Sequence, residues 1–117
     1  MNPALNESPK VRALNLERQI EHLIESGEFT PEYGYLTFDT KLGPCGCVLA
    51  ASAVAAGETR SNLFYQTLRQ IVEDAGFATQ SETRSLENAY ERRNNLFDNL
   101  LNPEFFKAGE RLRRFHP

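Results

Sequence analysis

Cys47-Val48-Leu49-Ala50-Ala51-Ser52-Ala53-Val54-Ala55-Ala56 runs for ten residues without a charge, and Ser52 is its only hydroxyl. Alanine has the best intrinsic helix propensity, so this composition favours helix over strand. A helix that is apolar all round has no face for water and must be surrounded by other elements. Its small side chains let neighbouring backbones approach closely. The stretch therefore predicts a buried helix at the centre of the fold, and the other segments are read as its cover.

Upstream, Gly43-Pro44-Cys45-Gly46 supplies a sharp turn into this helix. The segment 28–44 contains Pro31, Gly34, Gly43 and Pro44, which leaves no room for a long helix. Tyr33, Tyr35 and Phe38 roughly alternate there, as in an aromatic loop or a short extended segment packed on the core. A hairpin in this segment would find no partner strand elsewhere. Further back, Ser8-Pro9 is a helix start, because Ser caps free amides and Pro suits the first helical position. Ala13, Leu16, Ile20, Leu23 and Ile24 then recur at helical spacing, and Gly27 is a C-terminal stop. Residues 1–7 read as a flexible leader.

Downstream, a helix beginning near Thr59 or Ser61 carries Phe64, Leu68, Ile71, Val72 and Ala75 inward. Ala75-Gly76-Phe77 reads as a left-handed cap with Phe77 folded back on the last turn. A fourth helix from Ser81 or Thr83 bears Leu86, Ala89, Tyr90, Phe97, Leu100 and Leu101, with Arg93 inside the stripe and a bend at Asn94-Asn95. Asn102-Pro103 restarts the chain into a last helix with Phe105, Phe106, Ala108, Leu112 and Phe115. The expected fold is all-α: one compact bundle of about five helices over residues 8–117.

The chain has 117 residues, 40% hydrophobic and 25% charged, an ordinary composition for one globular domain. Its formal charge of −3 speaks mildly against non-specific nucleic-acid binding. The polar N-terminus lacks an apolar secretory core, and the uncharged run over residues 43–57 is too short to cross a bilayer. A cytoplasmic protein with reduced cysteines is expected.

Candidate chemistry is sparse. Cys45 and Cys47, at the entrance to the central helix, suggest a redox or metal-binding pair, since a helix N-terminus stabilises a thiolate. Buried structural cysteine is the simpler reading. A zinc site would need His22 and His116 from opposite ends of the chain, and neither has ligand spacing. Glu17, Glu21 and Glu25 form an acidic ridge, and Lys107, Arg111 and Arg114 a basic one. The two ridges either neutralise each other or dock another protein. Residues 72–81 have the alanine, glycine and following apolar residue of a helix-turn-helix. Glu82 and Ser85 then stand where its recognition helix needs apolar anchors. No phosphate-binding loop or catalytic motif appears, so neither an enzyme nor a cofactor is expected.

Cys45-Gly46-Cys47-Val48-Leu49-Ala50-Ala51, with Leu96-Phe97 and Asn102-Pro103-Glu104-Phe105 later, resembles small bacterial and phage proteins that carry a Cys-Gly-Thr-x-Gly-Cys-Ala-Leu-Gly-like segment. The likeness extends in layout over residues 16–115. In this chain the cysteines lie closer together, and alanine follows Leu49 where the pattern has glycine. The resemblance implies a bacterial or phage origin and no particular activity.

The expected function is a non-catalytic protein-interaction module, such as a phage or mobile-element accessory protein that modulates a host protein, acting as monomer or homodimer. The alternatives are a helix-turn-helix-like DNA-binding regulator and a thiol-redox or metal protein acting through Cys45 and Cys47.

Overall fold

The computed structural model describes residues 3–93 and 96–117; Met1-Asn2 of the leader and the bend expected at Asn94-Asn95 lie outside the described residues. Among the described residues, six α-helices and a small sheet follow one another: α1 Pro9–Glu25, β1 Thr30–Pro31, β2 Thr37–Asp39, β3 Gly43–Gly46, α2 Val48–Ala55, α3 Tyr65–Asp74, α4 Gln80–Tyr90, α5 Leu96–Leu101 and α6 Pro103–Leu112. Short 3-10 turns precede α1 and follow α6. Among the described residues, no helix is long and apolar enough to cross a membrane.

The Ala-rich stretch is a helix, and Val48 to Ala53 are all buried. It packs on α1, α3 and α4, with β3 leading into it. Ser52 satisfies its hydroxyl within the helix by donating to the Val48 carbonyl at 2.8 Å. The central position follows from composition: a helix without a polar face is stable only when covered.

Segment 28–46 corrects the all-α expectation. β3 is the middle strand of a three-stranded mixed sheet, parallel to β1 and antiparallel to β2, with Cys45 opposite both Thr30 and Thr37. The partner strand that a hairpin lacked is thus Gly43-Pro44-Cys45-Gly46, the run read as a turn. Glycine and proline are poor strand formers, which hid it. The β2–β3 turn is tied by the Asp39 carboxylate, which accepts from the amides of Lys41 and Leu42 at 2.7 and 2.9 Å. These bonds hold the Asp39 carboxyl below its ordinary pKa.

The helix termini follow local chemistry. Ser8 caps α1 by accepting from the Val11 amide. Gly76 adopts φ of +85°, and the Phe77 amide returns to the Val72 carbonyl, as expected of a left-handed cap. α3 begins at Tyr65, later than expected, and leaves Phe64 exposed before its first turn. The expected long fourth helix is two: α4 ends at Tyr90, Arg92 takes φ of +59°, and α5 starts afresh at Leu96. Leu86, Ala89 and Tyr90 lie inside, whereas Phe97, Leu100 and Leu101 do not.

Candidate functional site

The two charged ridges face each other across α1 and α6. Arg111 donates from Nε and Nη2 to the Glu17 carboxylate, the shortest contact being 2.6 Å, and Arg114 lies 3.2 Å from Glu21. Glu25 and Lys107 remain exposed. Much of the ridges' charge is therefore spent within the fold.

The helix-turn-helix segment becomes α3, a turn and α4, but α4 is largely enclosed. Its residues from Glu82 to Tyr90 are buried except Arg84, and before them Ser81 is exposed and Gln80 half-buried. A groove-reading helix needs a free face with several base-contacting residues.

Cys45 and Cys47 are both free thiols and both buried. Cys45 Sγ lies 3.3 Å from the Gly43 carbonyl. Cys47 stands at the N-terminus of α2 without a side-chain hydrogen bond to the helix amides, and burial pushes its thiol above the ordinary value. His22 is exposed beside Glu28, and His116 pairs with Glu91 instead. Among the described residues, no group of three His, Cys, Asp or Glu side chains is placed to hold a metal. The stability from keeping Cys47 neutral is full below the unfolded thiol pKa and is lost as pH rises through the higher folded value. Between about pH 8 and 10 the denaturation midpoint is accordingly expected to fall less steeply in Cys47→Ala than in the native chain. Denaturant titrations across that range, with thiol alkylation of the folded protein expected to be slow at neutral pH, check this.

Beside Cys47 opens a polar cleft of about 190 Å³ that sequence spacing did not assemble. Tyr33 and Gly34 from the segment before β2, Tyr65 and Arg69 from α3, Glu87 from α4, and Glu91 and Arg93 beyond it form the walls. Arg69 grips Glu87 with Nε and Nη2 at 2.8 and 3.1 Å. Burial nevertheless holds the Glu87 carboxyl above its ordinary pKa, with the Arg69 guanidinium opposing that shift. Glu91 meets His116 Nε2 at 3.0 Å, and the His116 ring packs edge-on to Tyr33 and tilted against Tyr90. The sequence traces of this cleft are the four-residue spacings of Tyr65 and Arg69 and of Glu87 and Glu91, and nothing in the sequence pairs the two.

A second feature lies where α4 meets α5. The carboxylate of Asp98 on α5 is buried, accepting from Asn88 Nδ2 at 2.6 Å and Ser85 Oγ at 3.1 Å. Asn102 adds bonds to Ser81 and Ser85 at 3.0 and 2.9 Å. Asp98 is thus turned inward while Asn99 faces solvent, and Phe97, Leu100 and Leu101 are exposed by 73%, 78% and 66%. Next to Leu101, a hollow of about 270 Å³ is lined by Pro9, Pro103 and Phe105, with Lys10 and Glu104 on its rim.

Compared with protein-family models, with curated proteins and with solved structures, the chain matches none. The class that fold and surface define is a small helical domain with an accessory three-stranded sheet.

Proposed function

We propose that this chain is a non-catalytic interaction module that binds a partner protein through α5, as an accessory protein of bacterial or phage origin would. One observation carries the reading: α5 is anchored by buried Asp98 and presents Leu100 and Leu101 to solvent. Single exposed apolar residues are ordinary, but neighbouring ones on one short helix form a patch of the kind found at protein interfaces. The occupant that fits is an amphipathic helix laid along α5, with one apolar side chain seated in the hollow beside Leu101. The rim charges Lys10 and Glu104 suit a partner helix with charges of both signs flanking its apolar stripe. The paired ridges of α1 and α6 leave Glu25 and Lys107 as secondary contacts at most.

The double substitution Leu100→Ser/Leu101→Ser tests this. Both side chains are exposed, so stability is expected to stay within about 0.5 kcal/mol of the native chain per site. The native chain should retain a stoichiometric partner that the variant loses, and both should sediment as monomers. A native dimer dissolved by the substitutions would make a second copy the occupant and overturn the partner helix. Equal retention by both chains, or no retention by either, would overturn the site.

A further inference from the structure

The geometry points to the cleft beside Cys47 as a binding site for a small zwitterion, with an ammonium and a carboxylate on one short skeleton, as in a free amino acid. This site is separate from α5 and stands or falls independently of the docking reading. Its volume of about 190 Å³ is small for a ligand pocket and suits a molecule of amino-acid size.

The class of ligand follows from the charges of the wall. Small-molecule pockets are mostly apolar with a few placed polar groups. This cleft instead carries two guanidinium groups, Arg69 and Arg93, and two carboxylates, Glu87 and Glu91, beside the Tyr33 and Tyr65 side chains. A ligand with one net charge meets as much repulsion as attraction there. A ligand with opposite charges at its two ends matches both. Arg69 and Glu87 are committed to each other through two hydrogen bonds and form a fixed part of the wall. Glu91 and Arg93 come just after the end of α4, where Arg92 in the left-handed region turns the chain. Arg93 is exposed and donates to Asn88 Oδ1 at 3.3 Å, a long bond readily exchanged for a charge-assisted one. The ligand carboxylate goes to Arg93. Its ammonium goes to Glu91, in competition with His116, with the tyrosine rings beside it as cation-attracting walls.

Amide spectra of the intact, isotope-labelled chain are titrated with glycine, alanine and glutamate, and with acetate and methylammonium as half-ligands. At millimolar concentration at least one amino acid is expected to move the amide signals of Gly34, Cys47 and Tyr65, while neither half-ligand does. Arg93→Ala and Glu91→Gln should each weaken that binding by roughly tenfold or more, with native-like spectra elsewhere. The proposal is overturned if no amino acid moves these signals, if acetate or methylammonium moves them equally, or if binding survives both substitutions unchanged.

Discussion

Gly109→Ala is expected to destabilise the fold by about 3 kcal/mol, although the same change in an ordinary helix interior stabilises by about 1 kcal/mol. Gly109 lies within α6 where that helix crosses α4. A Cβ there would run into the Leu86 carbonyl oxygen and come within 2.8 Å of the Ala89 Cβ. The first collision is with backbone, which has no rotamer to escape into, so α6 must move as a body. Its inward residues Phe105, Ala108 and Leu112 are buried, and their packing would shift with it. Overpacking therefore outweighs the gain in helix propensity. A fall in Tm on the order of 10 °C is the expected readout for a chain of this size. Adding Ala89→Gly removes only the side-chain collision and should restore part of the loss. A Gly109→Ala chain that melts at or above the native temperature would mean that α4 and α6 are farther apart than described.

Gly109 also shows where sequence reading runs out. The last helix is legible from Asn102-Pro103 and the spacing of Phe105, Ala108 and Leu112, but nothing in that spacing says which helix lies opposite. Elements set by local chemistry are readable: the Ser8-Pro9 start, the Gly76 cap and the uncharged central helix. Elements set by tertiary pairing are not. β3 is built from Gly43, Pro44, Cys45 and Gly46, whose strand character comes from hydrogen-bonded neighbours on both sides rather than from propensity. The apolar period continuing from Leu86 to Leu101 suggests one long inward stripe. The left-handed Arg92 redirects the chain before α5, so Asp98 takes the inward place and Leu100 and Leu101 face water.

The candidate sites divide in the same way. The acidic and basic ridges are visible because each lies on one helix, and their mutual pairing is one of the two outcomes such ridges allow. The cleft is not visible, since Arg69 and Glu87 are eighteen residues apart and meet only when α3 packs on α4. Asp98 is equally silent: a lone acid in an apolar pattern reads as solvated until Asn88 and Ser85 are found donating to it.

Arg12 is silent too, and its replacement carries the other large expected effect. Arg12 on α1 and Glu82 on α4 are buried together, with side-chain exposures of 7% and 8%. Nη2 donates to Glu82 Oε2 at 3.0 Å and Nε to the Glu7 carbonyl at 3.0 Å, while the guanidinium lies 5.6 Å from the Phe105 ring centroid. Glu82 also closes the capping box of α4, accepting from the Thr79 amide at 2.9 Å. One ion pair thus joins the first helix to the start of the fourth, across seventy residues. Burying a charge costs more than a poor partner returns, so removing Arg12 leaves the Glu82 carboxylate uncompensated. Arg12→Met keeps the apolar volume and is expected to cost about 3–5 kcal/mol, a large share of the stability of a domain this size. Arg12→Met/Glu82→Gln removes both charges and keeps an acceptor for Thr79, so it should recover much of that loss, giving a coupling energy above about 1 kcal/mol in a double-mutant cycle. Arg114→Met breaks the half-exposed pair with Glu21 and should cost under about 1 kcal/mol, because solvent already screens that interaction. Denaturant titrations of the native chain, Arg12→Met, Glu82→Gln, their double variant and Arg114→Met order these costs, and an Arg12→Met loss no larger than that of Arg114→Met would mean that the buried pair does not hold α1 to α4.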